Sequence, residues 1–242
     1  MENHPTRRNF LKTSTAAAAA GATLTRTISR PAHAQGSDQI KFALIGCGGR
    51  GPGASVNIFK SGGNVKLVAV ADAFDGKASQ TINSLSKRFK DQVDVPADRK
   101  FVGLDAYKKL LEVDADLVII ATPPGFKPQQ FEAAVNAGKH IFMEKPVASD
   151  ATGVRRVLAS VEESKKKSLM VGIGLQRRHE AQYLETIGRI HDGAIGDVIA
   201  TRVYWNGGGI WYRNRTPEQT EMAFQCNNWY HFNWLSGDQI CE

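Results

Sequence analysis

Short apolar runs alternate with longer amphipathic stretches along most of the chain. The apolar runs have the length of strands and contain few polar residues, as in a parallel sheet that is covered on both faces. They lie at residues 42–45, 65–71, 116–122, 140–143 and 169–174. The amphipathic stretches predict helices at residues 54–60, 74–90, 105–112, 127–137 and 150–167. This alternation predicts an α/β fold built on a parallel sheet.

The pattern changes near residue 176. We expect a helix from about Gln176 to His191 and a strand from Val198 to Trp205. A loop rich in glycine, arginine and aromatic residues follows at 206–215, and a second aromatic run occupies 228–235. Residues 176–242 are therefore interpreted as the beginning of a second domain of α+β type, which is incomplete.

Glycines follow the first strand with the spacing G-x-G-x-x-G, at Gly46, Gly48 and Gly51. Between a strand and a helix, the first glycine makes the tight turn and the second lets the backbone approach a pyrophosphate. The third lets the helix pack close to the strand. The helix N-terminus adds free N–H groups and the positive end of its dipole. We predict a phosphate site here that also includes Gly49 and Arg50, in a Rossmann domain over residues 38–175.

Asp72 closes the second strand, 21 residues beyond Gly51. A carboxylate at this position can accept hydrogen bonds from the adenosine ribose hydroxyls, and a helix N-cap is the alternative role. Its charge would repel a 2′-phosphate, which favours NAD over NADP unless Arg50 reaches the same position. The carboxyl ends of parallel strands meet at one edge of a sheet, where ligands bind. We therefore expect Thr122, Pro123 and Lys145, which follow later strands, to belong to the same cofactor site.

The first 34 residues differ from the rest of the chain. Arg7-Arg8 is followed by Phe-Leu-Lys, then by an alanine-rich stretch at 16–24 and by Ala32-His33-Ala34, a small-x-small cleavage pattern. These features predict a twin-arginine signal peptide over residues 1–34 and export to the periplasm. A disordered basic leader is the alternative.

The leader also changes how the charge is understood. It holds five basic side chains and one acidic side chain, so +4 of the net charge of +7 belongs to it and +3 remains. That balance gives no reason to expect a nucleic-acid partner. No apolar stretch approaches the roughly 18 residues of a membrane span. The three cysteines have no C-x-x-C spacing, and no metal site is expected.

Four stretches together resemble a known family. They are the glycine turn, Asp72, residues 121–124 (Ala-Thr-Pro-Pro) and residues 137–146 (Ala-Gly-Lys-His-Ile-Phe-Met-Glu-Lys-Pro). The combination resembles the Gfo/Idh/MocA oxidoreductases, which include glucose–fructose oxidoreductase and inositol dehydrogenase. The resemblance implies an NAD(P)-binding Rossmann domain followed by an open-sheet domain that forms homo-oligomers. It also implies oxidation of a sugar or cyclic polyol at a secondary alcohol.

The resemblance assigns roles to particular residues. Lys145 matches the lysine of the family's Glu-Lys-Pro motif, which lies near the nicotinamide and polarises the reacting oxygen, whereas a surface lysine is the alternative. Glu144 is expected beside it on the cofactor side, and the peptide bond before Pro146 is expected to be cis. The family also uses a carboxylate and a histidine in its second domain. Glu242 would fill the carboxylate position, and the histidine would then lie beyond the last residue, as in a truncated chain.

Other residues after the first domain are candidates for the substrate or for catalysis. Trp211 and Arg213, on the glycine-rich loop, would contact a sugar by stacking and hydrogen bonding, and a subunit or domain interface is an equal alternative. Arg177 is a further candidate for the substrate site. His179 and His231 are available as acid–base residues, but neither has the family's surroundings, and His231 is expected to be packed in a core.

Export has a consequence for the cofactor. Free nicotinamide nucleotides are scarce outside the cytoplasm, whereas the twin-arginine route moves folded proteins. We therefore expect a tightly bound NAD or NADP that does not exchange. The alternatives are an NAD-dependent glycosidase or lyase that acts through a 3-keto sugar, and a non-catalytic nucleotide-binding fragment.

Overall fold

The structure, a computed structural model, describes residues 38–238, 240 and 241. The predicted signal peptide and Glu242 lie outside the described residues. Residues from Ile40 onward belong to one compact unit, so the predicted domain boundary near residue 176 stays a prediction. Within the described part of the chain, no helix is both long enough and apolar enough to cross a membrane.

Six parallel strands form one sheet in the order β3-β2-β1-β4-β5-β6. They are β1 (Ile40–Ile45), β2 (Val65–Asp72), β3 (Lys100–Val102), β4 (Leu117–Ile120), β5 (His140–Met143) and β6 (Val171–Ile173). The apolar runs predicted five of these strands. The sixth, β3, was missed because it is only three residues long, lies at the edge of the sheet and has no buried residue. The parallel sheet is confirmed.

Eight α-helices occur in the described residues. They are α1 (Arg50–Phe59), α2 (Asp75–Arg88), α3 (Ala106–Leu111), α4 (Lys127–Asn136), α5 (Ala151–Lys166), α6 (Ala181–His191), α7 (Glu221–Asn227) and α8 (Asn233–Ser236). The start of α1 was predicted four residues too late. Pro52 fits inside its first turn, because the N–H groups there have no acceptor within the helix. The helix therefore begins in the glycine turn itself.

The sheet is covered on both faces, as the continuous apolar strands predicted. Helices α3, α4 and α5 pack on one face around fully buried residues such as Ile120 and Phe131. Helices α1 and α2 pack on the other face around Phe42, Leu44 and Ile119. The successive strand residues Ile119 and Ile120 therefore serve opposite cores. Both cores leave the carboxyl edge of the sheet open for a ligand.

The prediction of a strand at 198–205 is wrong. Residues 198–215 have no regular secondary structure. Ile199, Val203 and Trp205 are 90, 92 and 85% exposed. A strand is stable only beside a hydrogen-bonded neighbour, and no described strand pairs with this segment. The predicted helix at 176–191 is also interrupted, because a 3-10 turn (Gln176–Arg178) and extended backbone at Glu180 precede α6.

The last aromatic run folds back onto the sheet domain. Leu235 of α8 is fully buried, and the rings of Trp234 and Phe126 meet edge to face with centroids 5.8 Å apart. A Cβ atom at Gly125 would lie 2.4 Å from the carbonyl oxygen of Trp234. Glycine at 125 therefore allows α8 to pack against the connection between β4 and α4. This contact places α7 and α8 beside the carboxyl edge of the sheet.

Candidate active site

A cavity of about 1030 Å³ opens at the carboxyl edge of the sheet, where ligands of such folds bind. Its volume is at the upper end of the usual range for ligand pockets, about 300–1,000 Å³. Nine predicted site residues line it, namely Gly46, Gly48, Gly49, Arg50, Asp72, Thr122, Pro123, Glu144 and Lys145. Gly51 does not line it. Of the four predicted substrate residues, Lys145 lines the cavity, whereas Arg177, Trp211 and Arg213 do not. Glu242 lies outside the described residues.

The glycine turn has the geometry that its spacing predicted. Gly46 has a φ of +97°, and a Cβ atom there would lie 2.7 Å from the carbonyl carbon of Ala121. A Cβ atom at Gly51 would lie 1.9 Å from the carbonyl oxygen of Gly46. At Gly48 and Gly49 nothing lies within 4 Å of the same position. The outer glycines allow the turn and the packing of α1, and the inner two leave room for a ligand to approach the backbone.

The carboxylate of Asp72 connects the end of β2 to the glycine turn. Its Oδ2 accepts the N–H of Cys47 at 2.7 Å, and its Oδ1 accepts the N–H of Phe74 at 2.9 Å. Phe74, rather than Asp72, is the N-cap residue of α2, so the alternative role as a helix N-cap is excluded. Each carboxylate oxygen can accept a second hydrogen bond. The residue can therefore also accept ribose hydroxyls from the cavity.

Lys77 of α2 is a half-buried cation on the cavity wall that the sequence did not single out. Its Nζ lies 4.4 Å from the centroid of the Phe74 ring. Burial lowers the pKa of Lys77, and the nearby carboxylate of Asp72 opposes that shift. Lys77 lies in the first turn of α2, five residues after Asp72, and this spacing was the feature of the sequence that could have identified it. A phosphate or hydroxyl beside Asp72 would also lie near this ammonium group.

Arg50 points away from Asp72. Its Nε donates to Oε1 of Glu144 at 2.8 Å, and Glu144, which follows β5, is only 7% exposed. Strand β5 lies on the opposite side of β1 from β2, so the guanidinium group is held at the other end of the cavity. A Cβ atom at Gly174 would lie 2.5 Å from Oε2 of Glu144. Glycine at 174 therefore makes room for this carboxylate.

Lys145 lines the cavity at the Glu144 end, and the Lys145–Pro146 peptide bond is cis, as expected. A second lysine, Lys127, also lines the cavity and contacts the backbone of this segment. Lys127, the first residue of α4, donates from Nζ to the carbonyl oxygen of Lys145 at 3.0 Å and to that of Pro146 at 2.8 Å. No local pattern in the sequence marks Lys127, because the residues that it contacts are 18 and 19 positions away in the chain.

Two polar side chains near the carboxyl end of β4 form a hydrogen-bonded pair on the cavity wall. The hydroxyl of Thr122 donates to Oε1 of Gln130, a residue of α4 that is only 4% exposed, at 2.5 Å. Both side chains line the cavity. The pair fixes the orientation of the Thr122 hydroxyl, so that its oxygen remains an acceptor for a ligand.

Segments after β6 complete the wall. The segment just before α6 contributes Gln176, His179 and Glu180 to the wall. Helix α7 and the residues after it contribute Cys226 and Trp229. Cys226 is 6% exposed, and burial raises the pKa of its thiol. These residues come from the part of the chain in which the sequence pattern was least regular, and only His179 among them was a candidate.

Arg177, Trp211 and Arg213, the substrate residues predicted after the first domain, do not themselves line the cavity, although Arg177 contacts Glu180, which does. Arg177 pairs with Glu180 at 2.8 Å, while Arg213 stacks on Trp211 and donates to the carbonyl oxygen of Asn227 at 2.7 Å. Their role in substrate binding stays a prediction.

His231 does not lie in a core. It is exposed, and its Nε2 lies 2.9 Å from the carbonyl oxygen of Trp211. Its ring meets those of Trp211 and Tyr212 edge to face on the surface. The neighbouring aromatic residues were misleading, because they form a surface cluster here rather than an interior one.

A parallel sheet with this turn, a carboxylate at the end of its second strand and an open carboxyl edge defines a dinucleotide-binding α/β protein. Residues 40–173 match the Gfo/Idh/MocA model, described as an oxidoreductase family with an NAD-binding Rossmann fold. The chain belongs to this family. Residues 4–24 match the signal sequence of the twin-arginine translocation pathway, which confirms the predicted export signal.

Individual relatives are similar over the same part of the chain. Inositol 2-dehydrogenase of Rhizobium meliloti is 30% identical over 159 residues, which cover 66% of this chain and 43% of that enzyme. The scyllo-inositol 2-dehydrogenase (NAD(+)) of Bacillus subtilis is 29% identical over 161 residues, with 66% and 43% covered. The chain therefore spans less than half the length of these relatives.

Solved structures agree with this fold. The structure of scyllo-inositol dehydrogenase from Lactobacillus casei with bound NAD(H) and scyllo-inositol has a TM-score of 0.53 and 27% identity. The match covers 66% of this chain and 43% of that one.

Proposed function

We propose that the full-length protein is an NAD(P)-dependent oxidoreductase that acts on a secondary alcohol of a sugar or cyclic polyol. The observation that carries the proposal is that Lys145 lines the same cavity as the glycine turn and Asp72. The relatives named for inositol oxidation support the substrate class. Similarity over less than half of their length leaves the particular polyol open to experiment.

The residues of this chain fit the proposed cofactor. The open space at Gly48 and Gly49 and the N-terminus of α1 can receive a pyrophosphate. Asp72 would bind the adenosine ribose, and Thr122, Pro123 and Lys145 would hold the nicotinamide end. The bound cofactor supplies a hydride acceptor. Lys145 would hold the substrate oxygen by a hydrogen bond and stabilise the negative charge that develops there.

The proton-transfer partners are proposed in the second domain. Glu242 would serve as the carboxylate that orients a histidine, and that histidine would receive the proton of the substrate hydroxyl. Lys145, from the first domain, and this pair, from the second domain, would then act on the same substrate oxygen. We also propose that the full-length protein forms homo-oligomers through the second domain and works in the periplasm.

NAD is the proposed cofactor of choice. The charge of Asp72 disfavours a 2′-phosphate, and the pairing of Arg50 with Glu144 removes one cation that could have offset it. Among the described residues, Lys77 is a cation that lines the cavity at the Asp72 end. A direct comparison of the dissociation constants of NAD and NADP tests this preference, and tighter binding of NADP would contradict it.

The export signal supports a cofactor that stays bound. A folded protein that crosses the membrane can carry its nucleotide with it, whereas exchange outside the cytoplasm has little free nucleotide to draw on. We expect protein purified from the exported fraction to retain about one nicotinamide nucleotide per chain through prolonged dialysis. A cofactor-free but folded preparation that rebinds NAD only weakly would contradict this proposal.

The enzymatic proposal is tested with a panel of inositols and sugars. The full-length protein should reduce bound NAD at 340 nm with at least one of them and release a ketone. Lys145→Ala should lower the rate at which the substrate reduces the bound NAD by about 10³-fold or more, the scale expected when a group that stabilises transition-state charge is lost, and leave NAD binding nearly unchanged. Cleavage of a glycosidic bond would favour the 3-keto mechanism. NAD binding without any turnover would leave only a nucleotide-binding role.

A further inference from the structure

Lys127 occupies an unusual position for a lysine. It is only 2% exposed, and it is the first residue of α4. Lysine side chains are almost never fully buried without partners, because removing an ammonium group from water is costly. A cation at a helix N-terminus is also disfavoured by the helix dipole. Neither burial nor helix stability accounts for a lysine here.

The contacts of Lys127 give a different reason for its presence. Its ammonium group donates to two consecutive carbonyl oxygens, those of Lys145 and Pro146, at 3.0 and 2.8 Å. Hydrogen bonds from a charged donor are stronger than those between neutral groups. Two bonds to successive carbonyls fix the orientation of two successive peptide planes. The first of these planes contains the Cα atom of Lys145, so the bonds fix the position of that atom and the direction of its bond to the carbonyl carbon. They thereby restrict the directions in which the Lys145 side chain can leave the backbone.

Lys127 is itself held in place by its neighbours. In α4, Phe131 is fully buried in the sheet core, and Gln130 is bonded to Thr122. The turn before the helix is covered by α8, whose backbone approaches Gly125 closely. The residue that carries the ammonium group therefore begins a helix that is packed on the sheet core and anchored at its first turn. Its position is set by the same elements that form the cavity wall.

We propose that Lys127 is a positioning residue that holds the Lys145–Pro146 backbone so that Lys145 faces the cavity. This inference rests on the proposed role of Lys145 in catalysis. Lys127 does not act on the substrate in this account. It acts through the two carbonyl oxygens, and its loss should affect the geometry of Lys145 far more than the binding of the nucleotide at the glycine turn.

The test compares three variants of the full-length protein. Lys127→Met removes the donor and keeps the length of the side chain, and Lys127→Arg restores a charged donor. Lys167→Met is the matched control, because Lys167 also donates to two consecutive carbonyls, those of Val135 and Asn136, at the far end of α4. Lys167 is exposed and remote from the cavity wall, so its removal tests the general effect of losing such a pair.

Two measurements separate the inference from the proposed function. Hydrogen exchange should accelerate about tenfold or more in residues 144–149 of Lys127→Met, with strands β1 and β4 unchanged, since local opening is read segment by segment. Turnover should fall about 10- to 100-fold in kcat, while the dissociation constant of NAD stays within about threefold, which is the signature of a misplaced catalytic group. Lys127→Arg should restore most of the wild-type exchange rate in residues 144–149 and most of kcat. Lys167→Met should change neither the exchange rate nor kcat.

Each outcome decides the inference. Wild-type exchange in residues 144–149 of Lys127→Met would overturn it, whatever the turnover. Faster exchange spread over β1 and β4 would also overturn it, because Lys127 would then be a general determinant of folding. If the wild-type protein oxidises no polyol, the proposed function fails, and the exchange measurement still decides whether Lys127 positions this segment.

Discussion

The two ends of the cavity are built in different ways. At the glycine turn, backbone lies against backbone, since the carbonyl of Gly46 occupies the space that a Cβ atom of Gly51 would need, and Asp72 accepts two backbone N–H groups. At the Lys145 end, the contacts come from charged side chains. Lys127 donates to the backbone of Lys145 and Pro146, and Arg50 pairs with the nearly buried Glu144.

This difference has a consequence for mutation. Steric contacts between backbone segments are part of the fold, so changes at the glycine turn should affect stability and nucleotide binding together. Contacts made by charged side chains can be removed without filling space. Changes at the Lys145 end should therefore affect turnover while leaving the fold and nucleotide affinity largely intact. Substitutions at the two ends can test this separation.

Gly51→Val should have the largest effect at the turn. Its Cβ atom would lie 1.9 Å from the carbonyl oxygen of Gly46, and neither backbone segment can move without displacing α1 from β1. We expect a loss of about 4 kcal/mol or more in the free energy of unfolding, the range reserved for severe steric or strain effects, together with loss of NAD binding. Urea unfolding measures the first and fluorescence titration the second.

Gly49→Ala is the matched control for this steric argument. No atom lies within 4 Å of the corresponding Cβ position, and Gly49 has a helical φ of −59°. Its stability should stay within about 1 kcal/mol of the wild type, because alanine replaces glycine there without strain. Equal losses in Gly49→Ala and Gly51→Val would contradict the distinction between the outer and inner glycines.

Replacing an acid by its amide at each end compares the two ends directly. Asp72→Asn removes the charge that opposes a 2′-phosphate, so the ratio of NAD to NADP affinity should fall about tenfold, equivalent to roughly 1.4 kcal/mol. Glu144→Gln removes a charge at the Lys145 end and should leave that ratio within about twofold, since RT ln 2 is only about 0.4 kcal/mol. Paired fluorescence titrations with NAD and NADP give both ratios. Similar shifts in the two variants would show that the ends are not distinct.

Lys77→Met should have a smaller effect at the Asp72 end. The half-buried ammonium lies near the proposed ribose site, so its loss should weaken NADP binding about three- to fivefold and NAD binding less, roughly 1 kcal/mol or below. Lys87→Met, which removes an exposed lysine of the same helix, serves as the control. If both variants bind NADP alike, Lys77 does not contribute to the site.

Cysteine alkylation provides the mildest test. Burial raises the pKa of Cys226, so less of this thiol is ionised at pH 8 than in a free cysteine. The rate of Cys226 alkylation should keep rising with pH above the range in which the rate for an exposed thiol levels off. Cys241, which is half-exposed, should be alkylated first. Because Cys226 lines the cavity, NAD should slow its alkylation further. Peptide mass spectrometry at several pH values measures each rate, and no protection by NAD would place the nucleotide elsewhere.

Sequence reasoning worked best where local chemistry determines structure. Five strands are continuous apolar runs, and the G-x-G-x-x-G spacing fixed the turn, because both signals lie within a few neighbouring residues. It failed at β3, an edge strand of only three residues, and at 198–205, where local β-propensity forms no strand because none of the described strands pairs with the segment. Lys127 was missed because its contacts form only after distant segments pack together. Lys77 lies only five residues after Asp72 and was missed although its contacts are local.

A structure of the full-length protein with NAD(H) is the most direct test of the central claim, that one cavity holds the adenosine at Asp72 and the nicotinamide at Lys145. We predict ribose hydroxyls within hydrogen-bond distance of Asp72, about 2.6–3.2 Å, the pyrophosphate over Gly48 and Gly49, and the nicotinamide ring beside Lys145. A nucleotide bound in the opposite direction, or one whose nicotinamide lies far from Lys145, would contradict the account.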